Sequence, residues 1–543
     1  MKLFFRGGLV AAALALSACA SAPTRPAAWN VPETVVAPSS FAGVHGLAVD
    51  GKGRLLAGSV VGYSMWEVDR QTGAAKVFIP APEGQADDIA VGPKGELAWT
   101  NYLMGMLRYR ESDSAPLKVL AKDLPGLNSL DFDRRNGKLY ASQVFLGDAL
   151  WEIDIAGAKA PRLIAKDMGG FNGFEVGPDG MLYGPLWFKG QLVKIDPANG
   201  AITVINSEFK IPAAANLDGK GNLWAVDAAS GELSKVELAS GKKTVMKQLQ
   251  PSLDNLAIAP DGTVYVSNMA NNQIQAFDPA TGALRTLTSG KVAVPAGLKI
   301  DGNTLWVTDI FGFREVDAAS GATKDVFRMH ATDSHMEYPF AVGVSANQFA
   351  LASWFTGTVQ IIDRGTRQTT AMIHGLKAPY HALPMADGSV LVAELATGTI
   401  TRASGADYKT TAVVASGLAG PVQMTLGRDG ALYVTEAAGK LTRIDLASGA
   451  KTEVASGLAL PEGVAQTPWG SFIVAETAAA RLTEIDATTG AKRTVADQLP
   501  IGMPAGPGMP PPYVVTGVTV GADGSVYFSA DKNNAIYRVR PKY

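Results

Sequence analysis

The sequence predicts an all-β fold built from stacked copies of one four-stranded unit, and three observations carry that prediction. Turn residues recur at Gly53, Gly95, Gly137, Gly180, Gly221, Gly262, Gly302, Asn347, Gly388, Gly430, Gly470 and Gly524, most of them 40–45 residues apart. A second turn repeats as Asp-x-x-(Ser/Thr/Asn)-Gly at Asp69, Asp196, Asp278, Asp317, Asp445 and Asp486. There the Asp carboxylate closes an Asx turn and the glycine takes positive φ. Between turns, short segments alternate or run apolar, and no helical pattern interrupts them. A lone four-stranded meander cannot bury both of its faces, so the copies must stack on one another. Twelve such units predict tandem β-propellers. Propellers hold roughly four to eight blades, so the simplest partition is two six-bladed β-propellers, at 41–294 and 295–543.

The unit at 421–458 shows the pattern most plainly. An apolar strand leads to the turn Arg428-Asp429-Gly430, and a Tyr/Val-rich strand to the turn at Gly439. An alternating strand then reaches Asp445, and a polar fourth strand follows Gly449. Ahead of the first unit the chain reads differently. Lys2 and Arg6 precede a short apolar run at 8–16, too short to span a membrane, in the layout of a cleaved export signal. Leu16-Ser17-Ala18-Cys19 resembles the bacterial lipobox, which implies a lipoprotein signal peptide at 1–19 and lipidation of Cys19. The expected location is the cell envelope, anchored by lipid alone to the outer membrane and facing the periplasm. Residues 20–40, rich in Pro, Ala, Ser and Thr, read as a tether that ends in a strand-like stretch at 33–37. The twelfth unit reaches Tyr543 after only three strands, so 33–37 is the candidate for its fourth. Such a pairing is expected to shift the ring boundary by one blade and to make the second ring an insertion in the first.

Composition narrows the function classes. With 48 basic and 50 acidic residues interspersed along the chain, no basic patch points to nucleic acid or anionic lipid. Cys19 is the single cysteine, which excludes intrachain disulfides and cysteine-built metal sites. Phosphate-cradling glycine loops, a Gly-x-Ser-x-Gly elbow and a His-Glu-x-x-His motif are all missing from the sequence. The expectation is a monomer that meets a small-molecule substrate or an envelope partner protein.

In an antiparallel blade the start of the first strand and the end of the second lie on one face, around the central channel. In the first ring the first-strand starts carry His45, Asp87, Asn128, Asn172, Ala213 and Asp254, and second-strand ends add Asn101, Gln143, Asp227 and Asn268. Converging oxygens suit a hard divalent cation, Ca²⁺ first, with Mg²⁺ or Zn²⁺ as alternatives; the same residues could equally line a water-filled channel. In the second ring the second-strand ends are Asp309, Glu394, Glu436, Glu476 and Asp531. Four of the five histidines, His330, His335, His374 and His381, fall in or near the loops entering two adjacent blades. Tyr338, Phe340, Trp354, Phe355 and Tyr380 give that ring an aromatic candidate site. The Pro/Gly/Met-rich stretch 496–513 either overhangs its channel or packs between the rings.

Several units resemble known families. GPVQMTLGRDGALYVTEAAGKLTRID and LPEGVAQTPWGSFIVAETAAARLTEID are similar to the NHL and streptogramin (virginiamycin B) lyase repeat. LNSLDFDRRNGKLYAS and FNGFEVGPDGMLYGP resemble the senescence marker protein/gluconolactonase family. The second resemblance implies a metal-dependent hydrolase of a small lactone or ester, its metal held by a Glu, two Asn and an Asp. Asn128 and Asn172 match the two Asn; His45 stands at the Glu position and Ala213 at the Asp position, so Asp87 and Asp254 are the replacement carboxylates. The first resemblance implies ring-opening elimination, with His381 as acid/base and Glu394 as its partner. A non-enzymatic envelope scaffold is the remaining reading, since propellers of this kind serve enzymes and binders alike.

Overall fold

The structure, a computed structural model, describes residues 24–543. The lipobox and Cys19 lie outside the described residues. The described chain is all-β: twelve four-stranded antiparallel sheets, one two-stranded sheet, and four three-residue 3₁₀ turns as its helical elements. This is the sheet repeat of tandem β-propellers. The Asx turns form as their spacing demands. Asp69 Oδ1 accepts from Gln71 N at 3.0 Å and from Thr72 Oγ1 at 2.8 Å, and Gly73 follows at φ +77°.

The first strands of the sheets show how they stack. Val44–Val49, Ile89–Val91, Leu127–Phe132, Glu175–Val176, Pro212–Leu217 and Leu253–Ile258 pack in sequence, and the sixth returns to the first. A second circuit runs Pro295–Asp301, Ala341–Val344, Pro379–Pro384, Pro421–Leu426, Pro461–Gln466 and Val518–Val520, and closes back on Pro295–Asp301. The first circuit closes on side chains alone: Val44, Leu47, Leu55 and Ala57 bury against Ala257, Tyr265 and Ile274. The second closes through the chain's beginning. Glu33–Val36 pairs with Ala535–Val539, Thr34 opposite Tyr537, and Glu33 Oε2 accepts from Arg538 at 2.8 Å. Val36 is then buried with Leu298, Leu305 and Ile536.

The expected consequence of that pairing is corrected here. The sheet that Glu33–Val36 completes belongs to the second circuit, so no boundary moves, and the first six sheets lie between the closing strand and the rest of the second circuit. The reason is local: Ala535–Val539 is the outer strand of a sheet one strand short, and its free edge takes the extended segment that passes it.

The two circuits face one another across a shared apolar core. Ala42, Val61, Tyr63 and Met269 from the first bury against Phe311, Met329, Phe340, Trp354 and Tyr513 from the second. Buried Arg328 spans the same seam, donating to Pro251 O at 3.0 Å, to Asn268 Oδ1 at 2.9 Å and to Asp325 Oδ2 at 2.7 Å. The stretch 496–513 lies in this seam. Trp354 Nε1 donates to Tyr513 O at 3.1 Å and Tyr380 Oη to Pro512 O at 2.6 Å.

Candidate functional site

The seam encloses a cavity of ≈ 70 Å³ whose floor and roof come from different circuits. The floor is the set of first-strand starts His45, Asp87, Asn128, Asn172 and Asp254. The roof and walls include Phe311, His330, Tyr338, Phe340, Trp354 and Tyr513 from the second circuit, with Tyr102, Phe145 and Trp187 from the first. Residues assigned from the sequence to two separate channels therefore share one site.

His45, Asp87, Asn128 and Asn172 are buried, Asp254 is half-buried, and the two carboxylates are short of partners. Burial raises the pKa of the Asp87 carboxyl well above its usual range, and the Asp254 and Asp88 charges add to it. Burial raises Asp254 too. Hydrogen bonds figure among the influences on neither carboxylate, and among the described residues no Lys or Arg lines the cavity. Burial likewise lifts the phenols of Tyr102 and Tyr338, with the Asp87 charge acting on both.

His45 is held near a pKa of about 4 by burial, so its ring is neutral at physiological pH. Its Nδ1 lies 2.9 Å from Gly43 O. A carbonyl only accepts, so Nδ1 carries the hydrogen and Nε2 keeps its lone pair. His330, also at about 4, packs edge-on against Trp187 at 4.9 Å between ring centroids and lies close enough to His45 to feel its charge.

Ser129 fixes the two amides. Its Oγ lies 3.0 Å from Asn128 Oδ1 and 2.9 Å from Asn172 Oδ1, and accepts from Gly173 N at 2.7 Å. One hydroxyl hydrogen serves only one amide oxygen. Asn172 Oδ1 also accepts from Gly173 N at 3.0 Å, so it is the one retained. The Asn128 amide then satisfies Oγ best with its nitrogen, which leaves its oxygen for the cavity and Asn172 with a free N–H pair.

The other sequence candidates lie elsewhere. Tyr380 is fully buried and stacked on Trp354 at 5.9 Å, behind the cavity wall. Neither His381 nor Glu394 lines the cavity. His381 is neutral by burial, at about 4, with Lys299 nearby, and its Nδ1 is unpartnered. Glu394 does not pair with it: Oε2 accepts from Lys377 N and Oε1 from Thr401 Oγ1, each at 2.7 Å. The second-strand-end acids share this task. Asp227 accepts from Lys210 N at 2.7 Å, Asp309 from Val294 N at 2.8 Å and Glu476 from Ala459 N at 2.8 Å. Each pins the loop that enters its own sheet, and those carboxylates are spent on loop amides. His330 and Tyr102 are site residues that the sequence reading did not assign to the floor's channel; the histidine cluster was the signal for the first.

No family profile and no curated protein matches the chain. Solved structures do align with it. A streptogramin B lyase does so at 18% identity and a TM-score of 0.26, over 61% of this chain and 93% of its own. The extracellular domain of a hybrid two-component system from B. thetaiotaomicron aligns at 11% identity and a TM-score of 0.32, over 93% and 76%. A chain of a nidogen/laminin complex aligns at 15% identity and a TM-score of 0.25, over 42% and 91%. The likeness is one of fold.

The donor set there is two carboxylates, one imidazole lone pair and one amide oxygen. Among the described residues no three His, Cys, Asp or Glu side chains group closely enough to form a metal cage. Such a set fits an oxygen-preferring divalent ion that keeps part of its water shell, Ca²⁺ or Mg²⁺, better than Zn²⁺. The His45 Nδ1–carbonyl contact is the outer support that metal-binding imidazoles ordinarily have.

Proposed function

We propose that the cavity between the two circuits is the active site of a hydrolase acting on a small lactone or ester, with a divalent cation held by Asp87, Asp254 and the Asn128 oxygen. One observation carries this reading: two carboxylates, Asp87 buried and Asp254 half-buried, face a cavity in which, among the described residues, no Lys or Arg offers them a positive charge. Ionised without a counterion they repel each other at a desolvation cost, so they call for a cation or keep a proton. When bound, the ion would supply Lewis-acid polarisation of a carbonyl oxygen. The chain's own groups cover the remaining roles. Asn172 N–H is free to hold the substrate oxygen, and neutral His45 and His330 offer ring nitrogens that can orient a water by hydrogen bonding. The phenols of Tyr102 and Tyr338, kept protonated, can donate hydrogen bonds, and the aromatic roof limits the water that reaches the floor.

Thermal shift and calorimetric titration with Ca²⁺ and Mg²⁺, against EDTA, test the cation; a panel of lactones and esters with and without EDTA tests the chemistry. EDTA-sensitive turnover abolished by Asp87→Asn supports the proposal. Cation binding without turnover would leave the non-enzymatic reading, which the largely aromatic walls favour as a pure binding pocket. Elimination by His381 and Glu394 has no support, because Glu394 is engaged by its loop. We further propose export with a lipid anchor at Cys19; Cys19→Ala is then expected to release the protein from membranes.

A further inference from the structure

The most exposed part of the cavity's lining lies at Phe145. Phe145, which lines the cavity, is 39% exposed; beside it are Leu146 at 51% and Phe188 at 59%. Phe145 meets Phe188 edge-on at 5.7 Å, Trp187 edge-on at 5.1 Å and His330 face to face at 6.4 Å. These residues come from loops of two neighbouring sheets, between Leu139–Gln143 and Ala149–Ile153 and between Leu182–Leu186 and Gln191–Ile195. The ring of His330 stands where the cavity meets an outer groove of ≈ 260 Å³ bounded by Ile211 and the loop 330–336. Exposed aromatic side chains scattered singly need no explanation, but a contiguous set continuous with a buried polar site marks a ligand path.

Size gives the second argument. An apolar cavity that accepts benzene measures on the order of 150 Å³, about twice the ≈ 70 Å³ here. The inner cavity is thus too small for a whole ring and admits only the carbonyl end of a ligand. Whatever else the ligand carries must extend through the mouth, where Phe145, Leu146, Trp187 and Phe188 form one apolar side and the groove with Asp333 and His335 lies on the other.

We infer that this rim is a subsite for a flat apolar substituent, so that the substrate is an aryl- or alkyl-substituted lactone or ester and not a polyhydroxylated one. The inference rests on the hydrolase reading for the reacting group and on the rim alone for the substituent. Sugar hydroxyls laid against Phe145, Leu146 and Phe188 would find carbon, whereas a phenyl ring there finds edge and face partners.

The test uses the full chain with γ-butyrolactone and γ-phenyl-γ-butyrolactone in Ca²⁺ and in EDTA. Binding is followed by tryptophan fluorescence, since Trp187 belongs to the subsite, and hydrolysis by acid release. The phenyl lactone should bind at least tenfold tighter, or be turned over with at least tenfold higher kcat/KM. Phe188→Ser and Phe145→Ser, each checked for an unchanged melting temperature, should cut that ratio to below about threefold. Phe188 is a surface side chain, so its variant folds even where the other does not. A ratio near one in the wild type, a ratio that survives Phe188→Ser, or no binding of either lactone overturns the inference. Tenfold tighter binding with no turnover supports the subsite and refutes the hydrolase reading, so the two fail separately.

Discussion

Asp254→Asn is the sharpest perturbation, because one substitution should stabilise the protein and abolish its response to cations. Burial raises the Asp254 carboxyl to about 8, while in the unfolded chain it titrates near 4. The native state therefore keeps a proton that the unfolded state has already lost. The stability tied to that proton is fully present below about pH 4 and is lost as pH rises toward the folded-state value. The slope is about 1.4 kcal/mol per pH unit for each such group. By pH 7 the wild type has given up on the order of 2–4 kcal/mol at this position. Asn keeps the shape and does not ionise, so the variant should melt higher at pH 7 by roughly 5–10 °C and lose one proton's worth of slope between pH 5 and 8. Calcium at a hundred times its dissociation constant should stabilise the wild type by about 2.7 kcal/mol and the variant by much less. Guanidinium unfolding at pH 5, 6, 7 and 8, in EDTA and in Ca²⁺, reads both effects. An Asp254→Asn protein no more stable than wild type at pH 7, with the same pH slope, would refute the claim that this carboxylate is buried without a partner. One that keeps the full calcium response would remove Asp254 from the cation's ligands.

Three further outcomes are expected. Ser129→Ala frees the two amides, and should lower cation affinity about 10–100-fold with melting little changed; unaltered affinity in titration calorimetry would separate Asn128 from the ion. Glu394→Gln retains one acceptor where Lys377 N and Thr401 Oγ1 need two; it should cost about 1–2 kcal/mol in denaturant unfolding and leave cation binding untouched, whereas a lost cation response would restore Glu394 to the chemistry. Arg328→Leu strips the donor from Pro251 O, Asn268 Oδ1 and Asp325 across the seam; a loss of about 3–5 kcal/mol and faster proteolysis at 289–294 are expected, and an unchanged cleavage rate would show that the apolar core alone holds the circuits together.

The sheets were legible because their determinants are local. An Asx turn needs only Asp69 and the residues up to Gly73, and a strand needs only its own alternation, so the repeat announces itself within forty-odd residues. The floor was legible for the same reason, since equivalent positions in successive repeats must converge on one axis. What the repeat does not encode is how the two circuits meet. Tyr338 and Phe340 precede the second sheet of the second circuit and by register belong to its own channel, yet they roof the channel of the first. That placement depends on Arg328, on the packing of Met329 and Phe311 against Met269, and on the 496–513 stretch, contacts between distant parts of the chain with no periodicity to reveal them. The acids at the second-strand ends carried the opposite trap. Asp227 and Glu394 look like converging ligands when only position is read, but each carboxylate accepts the amide of the loop entering its own sheet. Asp87 and Asp254 stand one strand earlier, at the very start of the first strand, where no loop amide reaches them. Position in the repeat decides which acids meet a backbone donor: the second-strand-end carboxylates do and Asp87 and Asp254 do not, and that is why the proposal rests on the unpartnered pair and not on the more numerous pinned set.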